Sequence, residues 1–443
     1  MTHIFHRQVS APMKMAVGGE GVYLIDSDGK RYLDASGGAA VSCLGHGDTD
    51  VIGAIQQQAA RLAFAHTGFF TSQPAEDLAD LLIERAPEGI EKAYILSGGS
   101  EAVETAIKMA RQYFTVIDQP ERRHFIARRH SYHGNTLGAL ALGEHKKRRA
   151  PYLPLLMETH HISPCYAYRG RTLEESDYEY GQRVANELEE KILELGPQTV
   201  AAFVAETVVG ASLGAVAAVD GYFKRIREIC DTYGVLLILD EVMSGMGRTG
   251  LTFACEHDGI SPDLVCIAKG LGAGYQAIGA VLISASIFAA FRDGPGAFEH
   301  GHTYLGHPIA CAAALAVQRA IASRNLLDSV RKQGAVLEKA LTDRFGNHRQ
   351  VGDIRGRGLF FGLELVADRA TKEPFEAALN LPGKIKQAAF DRGLICYPSG
   401  GTADGENGGH VLLAPPFIIT DGEIDELVGK LGDAIDAALG GRD

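Results

Sequence analysis

The chain has 443 residues, too many for one ordinary core, so two or three domains are expected, one of them large. A formal charge of −12 argues against nucleic acid or an anionic membrane as main partner, and no apolar run reaches membrane-spanning length. The seven cysteines are scattered, odd in number and without metal-ligand spacing. The amino terminus, MTHIFHRQVSAPMKM, lacks an apolar signal-peptide core, so a reduced, cytoplasmic protein is expected.

In chain order, EGVYLIDSDGKRYLDASGG alternates apolar and polar residues around Asp28-Gly29, a hairpin signal. Residues 49–64 and 74–86 carry helical periodicity. From about 92 to about 300, strands alternate with helices. The strands are KAYILS, RHFIARR, QTVAAFVAE, GVLLILD, DLVCIA and AIGAVLIS; the helices are EAVETAIKMARQYF, 176–195 and GYFKRIREICDTY. That alternation predicts a large, mainly parallel α/β sheet domain. Residues 147–175, rich in Pro, Tyr and His, read as a long surface loop. Residues 307–341 read as one long helix bridging to an α+β region, with strands near RGRGLFFGLEL and HVLLAPPFII and a closing amphipathic helix, GEIDELVGKLGDAIDAAL. The expected division is 1–60 as an N-terminal segment joining a small domain, 61–320 as the large α/β domain, and 321–443 as the C-terminal small α+β domain.

Chemistry concentrates where two strands end. GVLLILDEVMSGMGRTG (234–250) delivers Asp240 and Glu241, and PDLVCIAKGLGAGY (262–275) delivers Lys269. Ligand chemistry in open α/β sheets sits beyond the carboxyl ends of the strands. A lysine and a carboxylate together at such an edge are what pyridoxal phosphate requires: a Schiff-base partner, and a charge that keeps the pyridine nitrogen protonated. Either segment alone would read as a charged strand cap. In SGGSEAVETAIKMAR (97–111), Gly99 and Ser100 open a helix whose free N–H groups and dipole favour a phosphate, although a serine cap on a glycine turn would look the same. Tyr132, in SYHGNTLGAL, leaves a strand where its ring could stack on a flat cofactor or join the core. HGHTYLGHPIACAAAL (300–315) holds three histidines, but their spacing matches no common zinc motif and no metal is expected; Thr303 is the better candidate, as a hydroxyl donor to an anion.

These motifs resemble the class III pyridoxal-phosphate aminotransferases of fold type I over nearly the whole chain. The LDEV…GRTG…AKG series is the most specific part, and GHTY…GHP with YPSGGT…HVLLAPP is most similar to the branch acting on amines and ω-amino acids with pyruvate. The resemblance implies a seven-stranded, mainly parallel sheet between helices and pyridoxal 5'-phosphate as cofactor. It implies Lys269 as the Schiff-base lysine and proton shuttle, Asp240 at the pyridinium nitrogen, Val242 and Tyr132 on the two ring faces, and Gly99 and Ser100 on the phosphate. Thr303 would serve the phosphate of a partner subunit, and Glu206 matches a family glutamate near the cofactor. A homodimer with a shared active site, or a tetramer, follows from the role of Thr303.

Three departures bear on substrate. Leu412 stands where many α-amino-acid-handling members carry an arginine for the α-carboxylate, and 398–410 holds no arginine to replace it. Ala211 stands where glutamate-using members often carry a glutamate. Ala39 and Ala40 occupy places where amine transaminases often have Leu-Trp, leaving more room on what should be the side opposite Leu412. The expected activity is transfer of an amino group from an amine or ω-amino acid to a keto acid, foremost pyruvate, by a ping-pong mechanism. Racemisation, an amino shift or a lyase step on the same fold remains an alternative, as does cofactor binding without catalysis.

Overall fold

The computed structural model describes residues 2–10 and 13–440; residues 1, 11–12 and 441–443, which the expected terminal segments include, lie outside it. The centre is a seven-stranded sheet in the order Ile90–Leu96, Gly279–Ser284, Leu264–Ile267, Leu236–Asp240, Val200–Glu206, His124–Arg128, His160–Ile162. Gly279–Ser284 runs antiparallel to both neighbours and the other pairings are parallel. The middle strands are apolar on both faces for a geometric reason. Successive side chains point to opposite sides, so Phe203, Leu237, Leu239, Val265 and Ile267 enter one core, packed by the helices Asp177–Leu195 and Tyr222–Tyr233. Val204, Ile238, Leu264 and Cys266 enter the other, beneath the helix Gly99–Val116.

A third core joins the two ends of the chain. Val22, Leu33 and Leu44 pack with Val330, Leu337, Phe361, Leu394, Val411 and Leu427. The Asp28-Gly29 hairpin pairs Tyr23–Asp26 with Arg31–Asp34, and Arg31–Asp34 also pairs in parallel with Leu394–Ile395. The carboxy-terminal sheet is antiparallel, built on Val351–Arg357, Phe360–Asp368, Gly409–Leu413 and Tyr397–Gly400.

Two sequence expectations are corrected. The stretch 307–341 is two helices, Pro308–Ser323 and Leu326–Phe345, because Asn325 adopts a left-handed φ of 52° and breaks the path. The presumed loop 147–175 contains His160–Ile162, the edge strand of the main sheet, whose three residues are too few to show a period. Among the described residues, no helix is long and apolar enough to cross a membrane.

Candidate active site

Register builds the site. Asp240 lies directly beside Glu206 on one side and Cys266 on the other, so three parallel strands end level with one another. The chain then turns at Lys269, whose φ of +43° is left-handed, a conformation that costs a non-glycine residue about 1–3 kcal/mol. The turn is over-determined. The Lys269 carbonyl accepts from Gly272 N–H at 3.1 Å and Ala273 N–H at 2.9 Å, and the buried amide of Gln318 donates to the Gly270 and Leu271 carbonyls, each at 3.0 Å.

Beyond these strand ends lies a cavity of about 430 Å³, lined among others by Gly99, Ser100, Tyr132, Glu206, Asp240, Val242 and Lys269. Seven residues chosen from sequence thus share one wall system. Burial pushes the Lys269 ammonium down to about 8, against the opposing pull of Asp240 and Glu206. Asp240 is anchored at both oxygens: His133 Nδ1–H donates to Oδ2 at 2.8 Å and Val242 N–H to Oδ1 at 3.0 Å. The Glu206 carboxyl accepts from Tyr132 N–H at 3.0 Å and Gly210 N–H at 2.9 Å, while burial raises its pKa. The guanidinium of buried Arg128 donates to the Glu206 backbone carbonyl.

At the other end of the cavity the helix Gly99–Val116 begins with no side-chain cap. A Cβ on Gly99 would come within 2.8 Å of a Val242 methyl, so only glycine lets the helix start approach the strand end this closely. Ser100 Oγ accepts from Asn135 N–H at 3.1 Å, which ties the helix start to the loop after Tyr132. Tyr132 is half-buried, and the exposed Arg148 guanidinium stands over its ring, 4.8 Å from the centroid.

Other residues fall elsewhere. Glu241, beside Asp240 in sequence, points away and is fully buried, accepting from Thr207 Oγ1, Ala254 N–H and Cys255 N–H. Desolvation lifts it to about 7. Thr303 is exposed and outside the cavity wall. Ala39, Ala40 and Leu412, expected on opposite sides of the substrate pocket, are not among the residues that line the cavity. Ala40 and Leu412, each 1% exposed, belong to one apolar cluster with Val208, Met243, Phe360 and Ala414, and Ala211 packs against it. The neighbouring Val41 is the member of that segment that lines the cavity.

The turn carrying Ala39 and Ala40 is itself unusual. Gly37, Gly38, Ala39 and Ala40 have φ of 54°, 60°, 75° and 64°, one turn of left-handed helix. Val41 N–H closes on the Gly37 carbonyl at 2.7 Å, and the buried Asp34 carboxyl accepts from Ser36 N–H, Ser36 Oγ and Gly38 N–H. Sequence reasoning also passed over His133. Its only signal was a polar residue in the same motif as Tyr132, and its partner lies more than a hundred residues away.

A family model for aminotransferase class-III matches residues 4–435. The chain is 45% identical over 438 residues to an uncharacterized aminotransferase of Schizosaccharomyces pombe, spanning 99% of this chain and 95% of that protein. It is 39% identical over 436 residues to the uncharacterized aminotransferase YodT of Bacillus subtilis, spanning 98% of each. The omega transaminase from Pseudomonas jessenii, solved in complex with PMP, superposes with a TM-score of 0.92 at 33% identity, over 99% of this chain and 96% of that one. The seven-stranded α/β architecture is therefore that of fold type I transaminases, and the alternatives of racemase, aminomutase or lyase are not favoured. With a family model running nearly end to end and a relative 45% identical over 99% of the chain, the chain belongs to the class III aminotransferases.

Proposed function

We propose that the cavity holds pyridoxal 5'-phosphate and that the enzyme moves amino groups from donors without an α-carboxylate to a keto acid, foremost pyruvate. Class III membership and the PMP complex of a relative imply this cofactor family. The donor set fits it: an uncapped helix start at one end, an anchored carboxylate at the other, and a lysine of depressed basicity between them. Gly99 and Ser100 would hold the phosphate, Asp240 the ring nitrogen, and Val242 and Tyr132 the ring faces. When bound, pyridoxal phosphate supplies an electron sink for the substrate carbon that loses its proton. Lys269 Nζ, neutral in a sizeable fraction near pH 8, takes that proton and returns it. His133 and the Val242 N–H keep Asp240 fixed while charge develops, so little reorganisation is needed at the reacting moment. Glu206 ties the Tyr132 backbone to the same strand edge.

One observation carries the substrate reading: Lys269 is the only cationic side chain among the lining residues, and no arginine is among them. A substrate with two carboxylates, such as glutamate, would leave at least one of them without a cationic partner there. The nearby exposed Arg148 is the cation we assign to the distal carboxylate of an ω-amino acid and to the single carboxylate of pyruvate. α-Ketoglutarate would need a second cation. Donor kcat/KM for glutamate, an ω-amino acid and an aryl-alkyl amine, each with pyruvate and with α-ketoglutarate, tests this. The ω-amino acid or amine with pyruvate is expected to lead, and a clear preference for glutamate would refute the substrate reading.

A homodimer is also proposed. Phe69, Phe70 and Tyr304 are 83%, 68% and 59% exposed, and Phe69 and Phe70 line one surface depression with Leu305 and Gly306, close in sequence to Thr303; exposed apolar surface marks an interaction site. Thr303 would reach the partner's phosphate site. The division at 60 and 320 is proposed because the amino-terminal strands share a sheet and a core with the carboxy-terminal part. A cytoplasmic location is proposed from seven cysteines that are all free and buried.

A further inference from the structure

The parallel strands that deliver Glu206, Asp240 and Lys269 at their carboxyl ends begin at the opposite margin of the sheet. There, three side chains converge that the amino-transfer chemistry does not use. His124 is the first residue of the strand His124–Arg128, and His160 is the first residue of the edge strand His160–Ile162, its parallel neighbour. Glu158 precedes that edge strand by two residues. One ligand atom from each lies within 4.8 Å of the others, and among the described residues this is the only group of three His, Cys, Asp or Glu that meets so closely. His160 Nε2 and His124 Nδ1 are 3.1 Å apart, with the rings edge to face at 67°.

We propose that His124, His160 and Glu158 form a zinc site that clips the edge strand to its neighbour. Two imidazole nitrogens bound to one tetrahedral zinc at about 2.0–2.1 Å stand about 3.3 Å apart, within a few tenths of an ångström of the separation here. Two neutral imidazoles and a carboxylate suit zinc and its first-row neighbours; magnesium and calcium ask for an all-oxygen shell. Both histidines are half-buried and Glu158 is exposed, which leaves an entry path and a fourth position for water. The edge strand has three residues and pairs on one side only, so few backbone hydrogen bonds hold it. A ligand bound only by the folded state stabilises that state by mass action. The site lies at the far end of the sheet from Lys269, so its role is structural. The pattern was hidden in sequence because 33 residues separate His124 from Glu158 and the edge strand was read as loop.

The test uses chelator-treated holoenzyme titrated with Zn2+, and separately with Co2+ as a spectroscopic substitute. Expected are one ion per chain at micromolar or lower Kd, visible d–d absorption from tetrahedral Co2+, and a rise in Tm with Zn2+. His124→Gln and His160→Gln should each weaken binding at least tenfold and Glu158→Gln less, all with turnover within twofold of wild type. X-ray absorption at the zinc edge of the wild-type protein should show two imidazole ligands and no sulfur, a readout that does not depend on the variants folding. The proposal is overturned by no binding below millimolar zinc, by affinity undiminished in both histidine variants, or by a sulfur-containing shell.

Discussion

The two walls of the cavity are made differently. The wall carrying Glu206, Asp240 and Lys269 comes from three neighbouring strands of one sheet, locked in register and hydrogen-bonded at nearly every polar atom. The wall carrying Val41, Val208 and Met243 comes from apolar packing between the two ends of the chain and the sheet domain, and it hangs from a left-handed turn. The first wall has fixed charges and little freedom to vary. The second has shape alone, so it can change the substrate without touching the reaction. Chemistry should therefore break on one side, and selectivity and stability on the other.

The largest effect is expected at Lys269. Lys269→Ala removes the side chain to which we assign the proton transfer, and steady-state turnover should vanish while some cofactor still binds, seen by its absorbance after gel filtration. In the wild-type apoenzyme, acylation of Lys269 followed by mass spectrometry should rise with pH to a midpoint near 8, because burial lowers this ammonium from an ordinary value of 10.5 and so favours its neutral form. A midpoint near the ordinary value would mean that the amine is solvated. Next comes Asp240→Asn, which keeps the size of the side chain, deletes the charge and turns one of its two accepting oxygens into a donor. Turnover should fall by at least about a hundredfold, the scale of losing one strong electrostatic stabiliser, and a loss of only a few-fold would place the acid outside the reaction.

Smaller effects are expected outside the strand-end wall. Arg148→Ala should raise KM for pyruvate and for an ω-amino acid about tenfold, near 1.4 kcal/mol for one charged hydrogen bond. KM for an aryl-alkyl amine should barely move; equal changes for all three would mean that Arg148 supports Tyr132 rather than a carboxylate. Gly37→Ala tests the strained turn. Its Cβ would meet the Ala414 carbonyl oxygen at 2.6 Å with φ at +54°, so stability should drop by about 1–3 kcal/mol, read from chemical denaturation. An unchanged denaturation midpoint would show that the turn can relax.

Legibility in the sequence followed the same divide. Short apolar runs ending at Glu206, Asp240 and Lys269 announced strands, and Asp240 with Lys269 pointed to chemistry, because a strand buried on both faces leaves only its end for a charge; Glu206 was singled out by resemblance alone. The glycine-rich helix start was visible for a similar local reason. What could not be read was set by contacts between distant segments. His133 is defined by Asp240, Ala40 by Leu412, and the edge strand His160–Ile162 by pairing with His124–Arg128. The break at Asn325 has no proline or glycine to announce it, only an asparagine, a residue that tolerates a left-handed φ. Glu241 shows the reverse. The sequence puts it beside Asp240 at the same strand end, whereas alternation along the chain sends it into a buried cap on the 254–255 turn.

The most direct test of amino transfer to a keto acid uses one half of the reaction. Holoenzyme is mixed with an ω-amino acid in the absence of any keto acid, and product is quantified against active sites. Transamination predicts one equivalent of oxo product per site, a shift of the bound cofactor's absorbance that then stops, and full reversal on adding pyruvate with one equivalent of alanine formed. Product accumulating beyond one equivalent without an acceptor, or a shifted band that pyruvate leaves unchanged, would contradict it.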